Sequence, residues 1–401
     1  MERILFLGGS YQQIPAIKEA RALGLYVITC DYLPNNPGHK YADEYHNVST
    51  TDATAVLDLA QRIKPDIVMS YASDPGAAIA AYVAEQLGLP GNPYASVKLL
   101  SKKDLFRAFQ RDHGFNSPRA IGLNENEVHP DRLKGFNYPL IVKPVDSSGS
   151  KGVSKISEPS ELALAASYAL SFSRMKRVIV EEFIVCDGPQ LTGDGLVLNG
   201  ELVFSCFADQ LYDTSASARV PCGALWPTLR TITSIRKVEQ EAAKVIRATG
   251  LISGSVNIEV RITPDNEVYI LEIGPRSGGN YMPQAIKYAS TFDMVRASLD
   301  VLLGKTIQVP ITELVCTAYY ALHSDRCGTL VSLKLTNELK SHVREFHQYV
   351  FPGEKVLPFH NSSATLGILI LTFRNHEEMN VIMSHIANMI EIVITSLTEP
   401  Q

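Results

Sequence analysis

Over its first hundred residues the chain alternates between short apolar runs and longer stretches with helical spacing, a rhythm that suits parallel strands joined by crossover helices. It predicts strands at Ile4–Leu7, Tyr26–Cys30 and Ile67–Ser70, and helices at Ile14–Leu23, Ala53–Ile63 and Gly76–Leu87. Gly24 and Gly88 stand just past helix-spaced segments, where a left-handed residue ends a helix, and Pro65 closes the loop before the third strand. Ser101-Lys102-Lys103-Asp104 reads as a capping box that opens a further helix, which Gly114 and Pro118 end.

From Tyr138 onward the rhythm changes to short strands with turns. Strands are expected at Leu140–Val145, Val153–Ile156, Val178–Glu182, Leu191–Leu198, Leu202–Asp209, Ser255–Ile262 and Val268–Ile273, with helices at Ser160–Ser171 and Ser234–Thr249. The last ninety or so residues carry strand-like runs at Val315–Leu322 and Thr365–Thr372. An amphipathic helix follows from about Glu377 to Ile390, with Ile382, Ile386 and Met389 on one face. The fold class is therefore α/β and α+β in three domains: a parallel β-α-β domain over 1–97, a two-lobed domain over 98–305 and a small α+β domain over 306–401. With 45% hydrophobic and 20% charged residues, the chain has ample material for buried cores.

A formal charge of −5 with scattered basic residues excludes a nucleic-acid footprint. No apolar run approaches the roughly 18 residues of a membrane span, and Met1 to Gly9 lack the layout of a signal peptide, so a cytoplasmic protein is expected. Cys30, Cys186, Cys206, Cys222, Cys316 and Cys327 show no C-x-x-C spacing and read as reduced structural thiols. The histidines form no metal-binding spacing.

Two segments carry chemistry. In the first, Tyr138-Pro-Leu-Ile-Val-Lys143-Pro144, followed by Val-Asp-Ser147-Ser148-Gly149-Ser-Lys151-Gly152, a lysine ends an apolar strand and a flexible loop follows. Such a loop brings backbone N–H groups, hydroxyls and a compact positive charge close to a polyphosphate, although it is not a Walker A loop. An ordinary hairpin loop with a solvated lysine is the alternative.

The second is a hairpin of Ser255–Ile262 and Val268–Ile273 around Pro264-Asp265-Asn266-Glu267. If Thr263 and Val268 close that four-residue loop, Glu259 lies opposite Glu272, with Cβ atoms about 4.5–5.5 Å apart. Like charges so placed repel, and a divalent cation resolves the conflict; magnesium takes one or two carboxylates plus substrate phosphates. A solvated face, or pairing with Arg261, is the alternative, and a slip of one residue would separate the acids. Gly274-Pro275-Arg276-Ser277-Gly278-Gly279-Asn280 then projects Arg276 beside the pair, where a guanidinium can hold a carboxylate or phosphoryl oxygen.

The β-α-β start, IVKPVDSSGSKGV, VIVEEFI, SVNIEV…YILEIGPRSGG and a small final domain together resemble the ATP-grasp superfamily, over nearly the whole chain. The likeness is nearest the branch with formate-dependent phosphoribosylglycinamide formyltransferase, biotin carboxylase and carbamoyl-phosphate-synthase-like ligases. It implies ATP and Mg2+ as cofactors, with Lys103 and Lys143 on the phosphates and Ser147, Ser148, Gly149, Lys151 and Gly152 in the loop over the nucleotide. It also implies an adenine-side hinge of Glu181, Glu182, Phe183 and Ile184, magnesium on Glu259 and Glu272, and Arg276 on the acyl phosphate or its carboxylate precursor; Lys143 and Arg276 are the catalytic candidates. Gly8, Gly9, Asp31, Asp74, Gly278 and Gly279 become candidate contacts to the second substrate. Two departures stand out: Gly274 where the family often has a metal-binding Asn, and Gln190 where many relatives have a ribose-binding Glu.

The implied activity is phosphorylation of a carboxylate and transfer of the acyl group to an amine, with ADP and phosphate as products. Alternatives are a non-catalytic nucleotide-binding protein, or a formate, bicarbonate or thiol substrate in place of these. A dehydrogenase is a further rival, since Gly8-Gly9-Ser10 and Asp31 suggest dinucleotide binding, but the G-x-G-x-x-G spacing is missing. Substrate choice is expected to rest on loops Tyr212–Trp226 and Asn280–Gln284, with Trp226 in packing. Partners are small molecules and, by base rate, a second copy of the chain.

Overall fold

A computed structural model describes residues 1–213, 220–310 and 313–395. Four parallel strands form the first sheet, in the order Glu44–His46, Tyr26–Cys30, Arg3–Leu7, Ile67–Met69. Its crossover helices are Ile14–Ala22, Ala53–Ile63 and Asp74–Leu87. Asp52 accepts the N–H of Ala55 to start the second of these, and Gly88, at φ +65°, ends the third. Ile4, Phe6, Val27 and Ile67 pack against Val295 and Leu299 of a much later helix, Met294–Leu302. Burial of these side chains ties the first domain to the segment that follows the hairpin.

The expected capping box at Ser101 does not form. Ser101 Oγ instead turns back to the carbonyl of Val97 at 2.7 Å, because it ends a helix, Tyr94–Leu100, that sequence reading missed. The helix Lys103–Asp112 begins without a side-chain cap, and the Lys103 N–H donates to Val145 O at 3.0 Å. The lysine is thus fixed to the end of the strand that carries Lys143.

A second, antiparallel sheet runs in the order Ala120–Asn124, Arg177–Glu182, Leu140–Pro144, Ser154–Ile156, with the helix Leu162–Ser171 packed on it. The third sheet has eight strands: Val268–Gly274, Gly254–Ile262, Leu191–Leu198, Glu201–Tyr212, Pro221–Trp226, Thr317–Leu322, Gly367–Thr372 and Val343–Gln348. It crosses the boundary expected at residue 305, since Thr317–Leu322 pairs directly with Pro221–Trp226. Val256, Ile258 and Val260 face the helix Ile232–Thr249, which leaves Asn257, Glu259 and Arg261 on the opposite face.

Other elements differ from expectation. Residues 221–226 form a strand rather than a loop, and 214–219 lie outside the described residues. Trp226 is fully buried, with its indole N–H on Cys206 O. The last helix stops at Ser384, then a turn Ile386–Met389 leads into a strand Ile390–Thr395, whose alternating exposure is that of a half-covered sheet edge. All six cysteines are free, and no helix among the described residues is long and apolar enough to cross a membrane.

Candidate active site

Glu259 and Glu272 stand directly opposite each other, by a different route from the one expected. Ile262 pairs with Val268, and Thr263 N–H donates to Glu267 O at 2.9 Å, so the loop is three residues, Pro264-Asp265-Asn266, with Asn266 left-handed at φ +61°. That register alone would set Glu259 against Leu271. A bulge between Glu259 and Val260 shifts the pairing by one residue and restores the match to Glu272. Both acids reach a cleft of about 1010 Å³ between the four-stranded and eight-stranded sheets.

The cleft gathers Lys103, Lys143, Ser147, Ser148, Gly149, Lys151, Glu181, Glu182, Phe183, Ile184, Gln190, Glu259, Glu272 and Arg276. Lys103 Nζ lies 3.3 Å from Glu272 and donates to Ser147 O at 2.9 Å, joining the strand Val268–Gly274 to the loop. Burial works against its charge, but Glu272 and Asp74 outweigh burial and raise its pKa. Lys143 Nζ sits 2.7 Å from Glu181, and burial still holds it below the ordinary lysine value. Glu181 also faces Arg107 at 2.9 Å; burial opposes its charge, but Arg107 and Lys143 pull its pKa down to about 2. Glu259 moves the other way, to about 6, through burial first and Glu272 second.

Glu181 is thus paired with Lys143 and Arg107. Glu182 also lines the cleft and accepts the Asn137 N–H at 2.8 Å, beside the ring of Phe183. That ring lies between Lys155 and Arg261, 4.1 and 4.5 Å from its centre. Gln190 is committed to its neighbours: its Oε1 accepts Arg261 Nε at 2.9 Å, and its Nε2 donates to Gln210 at 2.7 Å and reaches Glu259 at 3.3 Å. Gly152 does not line the cleft, but its Cβ would lie 2.9 Å from Pro144, so only glycine lets the loop return to its sheet there.

Of the candidate second-substrate contacts, Asp74 joins the site: it holds Arg276 bidentately at 2.8 and 2.7 Å across 202 residues of sequence. Asp31, Gly8 and Gly9 do not line the cleft. Asp31 braces its own loop, accepting from Gly9 N, Leu33 N and Asn36 Nδ2. Gly278 gives its N–H to Asp194, and Gly279 lies beside Gln12 of the first domain. Asn280 and Tyr281 are left-handed residues leading into the helix Met282–Ser290. Sequence reading missed Arg107 as a partner of Glu181, and missed Asn257 and Arg261 as cleft residues, though both sit two positions from Glu259 and so share its face.

This donor set fits magnesium with a nucleotide. Burial and the adjacent Glu272 raise the Glu259 pKa, two lysines and an arginine stand within the same cleft, and the volume admits a triphosphate. Among the described residues no group of three or more His, Cys, Asp or Glu could hold a metal; Glu259 and Glu272 would supply two carboxylates, as magnesium takes beside phosphates.

A family model described as an ATP-grasp domain matches residues 100–280. A formate-dependent phosphoribosylglycinamide formyltransferase of Thioalkalivibrio sulfidiphilus is 32% identical over 192 residues, 46% of this chain and 48% of that protein, so the chain spans about half the length of this relative. One from Prochlorococcus marinus is 23% identical over 79% of each chain. In structure, an L-amino acid ligase from Bacillus licheniformis aligns over 99% of both chains with TM-score 0.83 at 20% identity. A phosphoribosylglycinamide synthetase from Anaerococcus prevotii aligns over 98% of this chain and 100% of that one, with TM-score 0.77 at 22% identity. At such identities these structures speak to the fold. Residues 100–280 thus match an ATP-grasp domain, and the whole chain shares the fold of these two structures.

Proposed function

We propose that the protein uses MgATP to phosphorylate a small carboxylate and passes the acyl group to an amine, releasing ADP and phosphate. The observation that carries this is the carboxylate pair Glu259 and Glu272 set across one cleft from Lys103 and Lys143. A carboxylate oxygen bonds to the γ-phosphorus as the bond to the β–γ bridging oxygen breaks. The amine then attacks the acyl carbon, loses a proton, and phosphate leaves. Lys143 and Lys103, held by Glu181 and Glu272, spread the charge on the transferring group, so catalysis is positioning and electrostatics. Magnesium on Glu259 and Glu272 would neutralise phosphate charge. Arg276 orients the acid, and the loop Ser147 to Gly152 excludes water from the acyl phosphate.

The test is ADP release from the purified protein with MgATP and pooled carboxylates and amines, formate included because relatives of this chain are formate-dependent by name. Glu272→Gln removes turnover while the circular dichroism spectrum is kept. An unchanged rate in that variant refutes the metal assignment; ATP binding with no ADP release across the panel would leave a nucleotide-binding protein instead.

A further inference from the structure

Asn257 occupies the next paired position on the hairpin, opposite Gly274 and on the same face as the two acids. Its amide has a fixed orientation. Nδ2 donates to Asp194 Oδ1 at 2.9 Å and Gly193 O at 3.2 Å, two acceptors that only the nitrogen end can satisfy. Asp194 is itself 1% exposed and held by the Gly278 N–H at 2.8 Å, so the clamp is rigid. Oδ1 is thereby turned from the clamp, has no protein partner among the described residues, and belongs to a half-buried side chain that lines the cleft.

The glycine across the ladder has its own cause. A Cβ at 274 would lie 3.0 Å from Arg276 Cζ and within 3.3 Å of both terminal nitrogens, because Arg276 folds back over that position to reach Asp74. A larger side chain at 274 would press on the Arg276–Asp74 clasp, whereas the facing strand already presents an amide oxygen. We infer that Asn257 Oδ1 is a third protein ligand to the divalent cation held by Glu259 and Glu272. Asn257 precedes Glu259 by two residues, roughly 7 Å along the strand, and their side chains converge on a cation above the sheet. Gly278 belongs to the device, since a Cβ there would come within 2.6 Å of Asp194 and 3.1 Å of Asn257 Nδ2.

The inference rests on the carboxylate pair holding a cation, and Mn2+ titration of the full chain by electron paramagnetic resonance, with ADP present, separates the two claims. Asn257→Ala is expected to weaken Mn2+ roughly tenfold or more, while ADP affinity in chelator stays close to wild type and the melting temperature falls only by what the lost hydrogen bond to Asp194 costs. Wild-type Mn2+ affinity in Asn257→Ala, alongside loss in Glu272→Gln, overturns the third ligand alone. A parallel fall in metal-free ADP affinity also overturns it, since Asn257 would then merely brace the cleft. If Glu272→Gln binds Mn2+ like wild type, the carboxylate pair holds no cation and the underlying reading fails with it.

Discussion

Glu259→Gln should make the metal-free protein more stable and the nucleotide-loaded protein less so. Burial and Glu272 raise the Glu259 carboxyl from an ordinary 4.5 to about 6. A folded pKa above the unfolded one means that the folded state binds more protons across that window. Stability therefore falls as pH rises from about 4.5 to 6 and stays reduced above it. The ionised form carries a penalty of about 2 kcal/mol at ~1.4 kcal/mol per pH unit, and about 1–2 kcal/mol once the partial exposure of the side chain is allowed for. The amide that Glu259→Gln introduces cannot ionise, so urea melts in chelator at pH 8 should show the variant more stable by that amount, with the gap closed at pH 4.5. Saturating Mg2+ and ADP then stabilise wild type by about 3 kcal/mol at a hundredfold excess over Kd, and the variant by much less. A variant less stable than wild type in chelator at pH 8, or equally stabilised by Mg2+ and ADP, refutes the reasoning.

Glu181→Gln should cost about 3–5 kcal/mol in urea unfolding at pH 7, because it strands Lys143 and Arg107 in a buried setting. The sign is opposite to that of Glu259: a folded pKa near 2 gives stability that is present above 4.5 and lost as pH falls towards 2, so the variant's deficit vanishes in acid. A loss below about 1 kcal/mol at pH 7 would contradict the triad. Gly149→Val should lower turnover severalfold with little change in fold, since Gly149 sits at φ +68° and a Cβ would run into Ser362 Oγ, where the loop meets the C-terminal segment. Unaltered steady-state kinetics would remove the loop from the reaction.

What was legible in the sequence were features written in local chemistry. Gly24 and Gly88 announce helix ends because a left-handed residue there satisfies backbone groups within a few residues of itself. The Glu259–Glu272 pairing holds although the loop is one residue shorter than expected, because the bulge adds one residue back. Bulges leave no local signature, so the alternation of polar residues along each strand was the better guide. Ser101 misled because its hydroxyl serves two competing roles, and the helix Tyr94–Leu100 behind it claimed the hydroxyl first. The edge strands Val343–Gln348 and Ile390–Thr395 are half exposed, and their mixed composition hides them. The Arg276–Asp74 clasp joins positions 202 residues apart, beyond any local pattern.

The cleft is more basic than the chain as a whole, whose formal charge is −5, and so suits a polyphosphate. Lys103, Lys143, Lys151, Lys155, Arg261 and Arg276 line it against Glu181, Glu182, Glu259 and Glu272, six cations to four acids. Lys103, Lys143 and Arg276 are each held by an acid, at 3.3, 2.7 and 2.7 Å, so no cation collapses onto the cleft floor before substrate arrives. The acids differ in what they do next. Glu181 and Asp74 have pKa values held low by their cations and remain fixed anchors, whereas Glu259, raised to about 6 beside Glu272, is the carboxylate with most to gain from a divalent ion. On the proposed reading a cation and its phosphates filling that gap would relieve the crowding, so metal affinity and folded-state stability would be linked through Glu259.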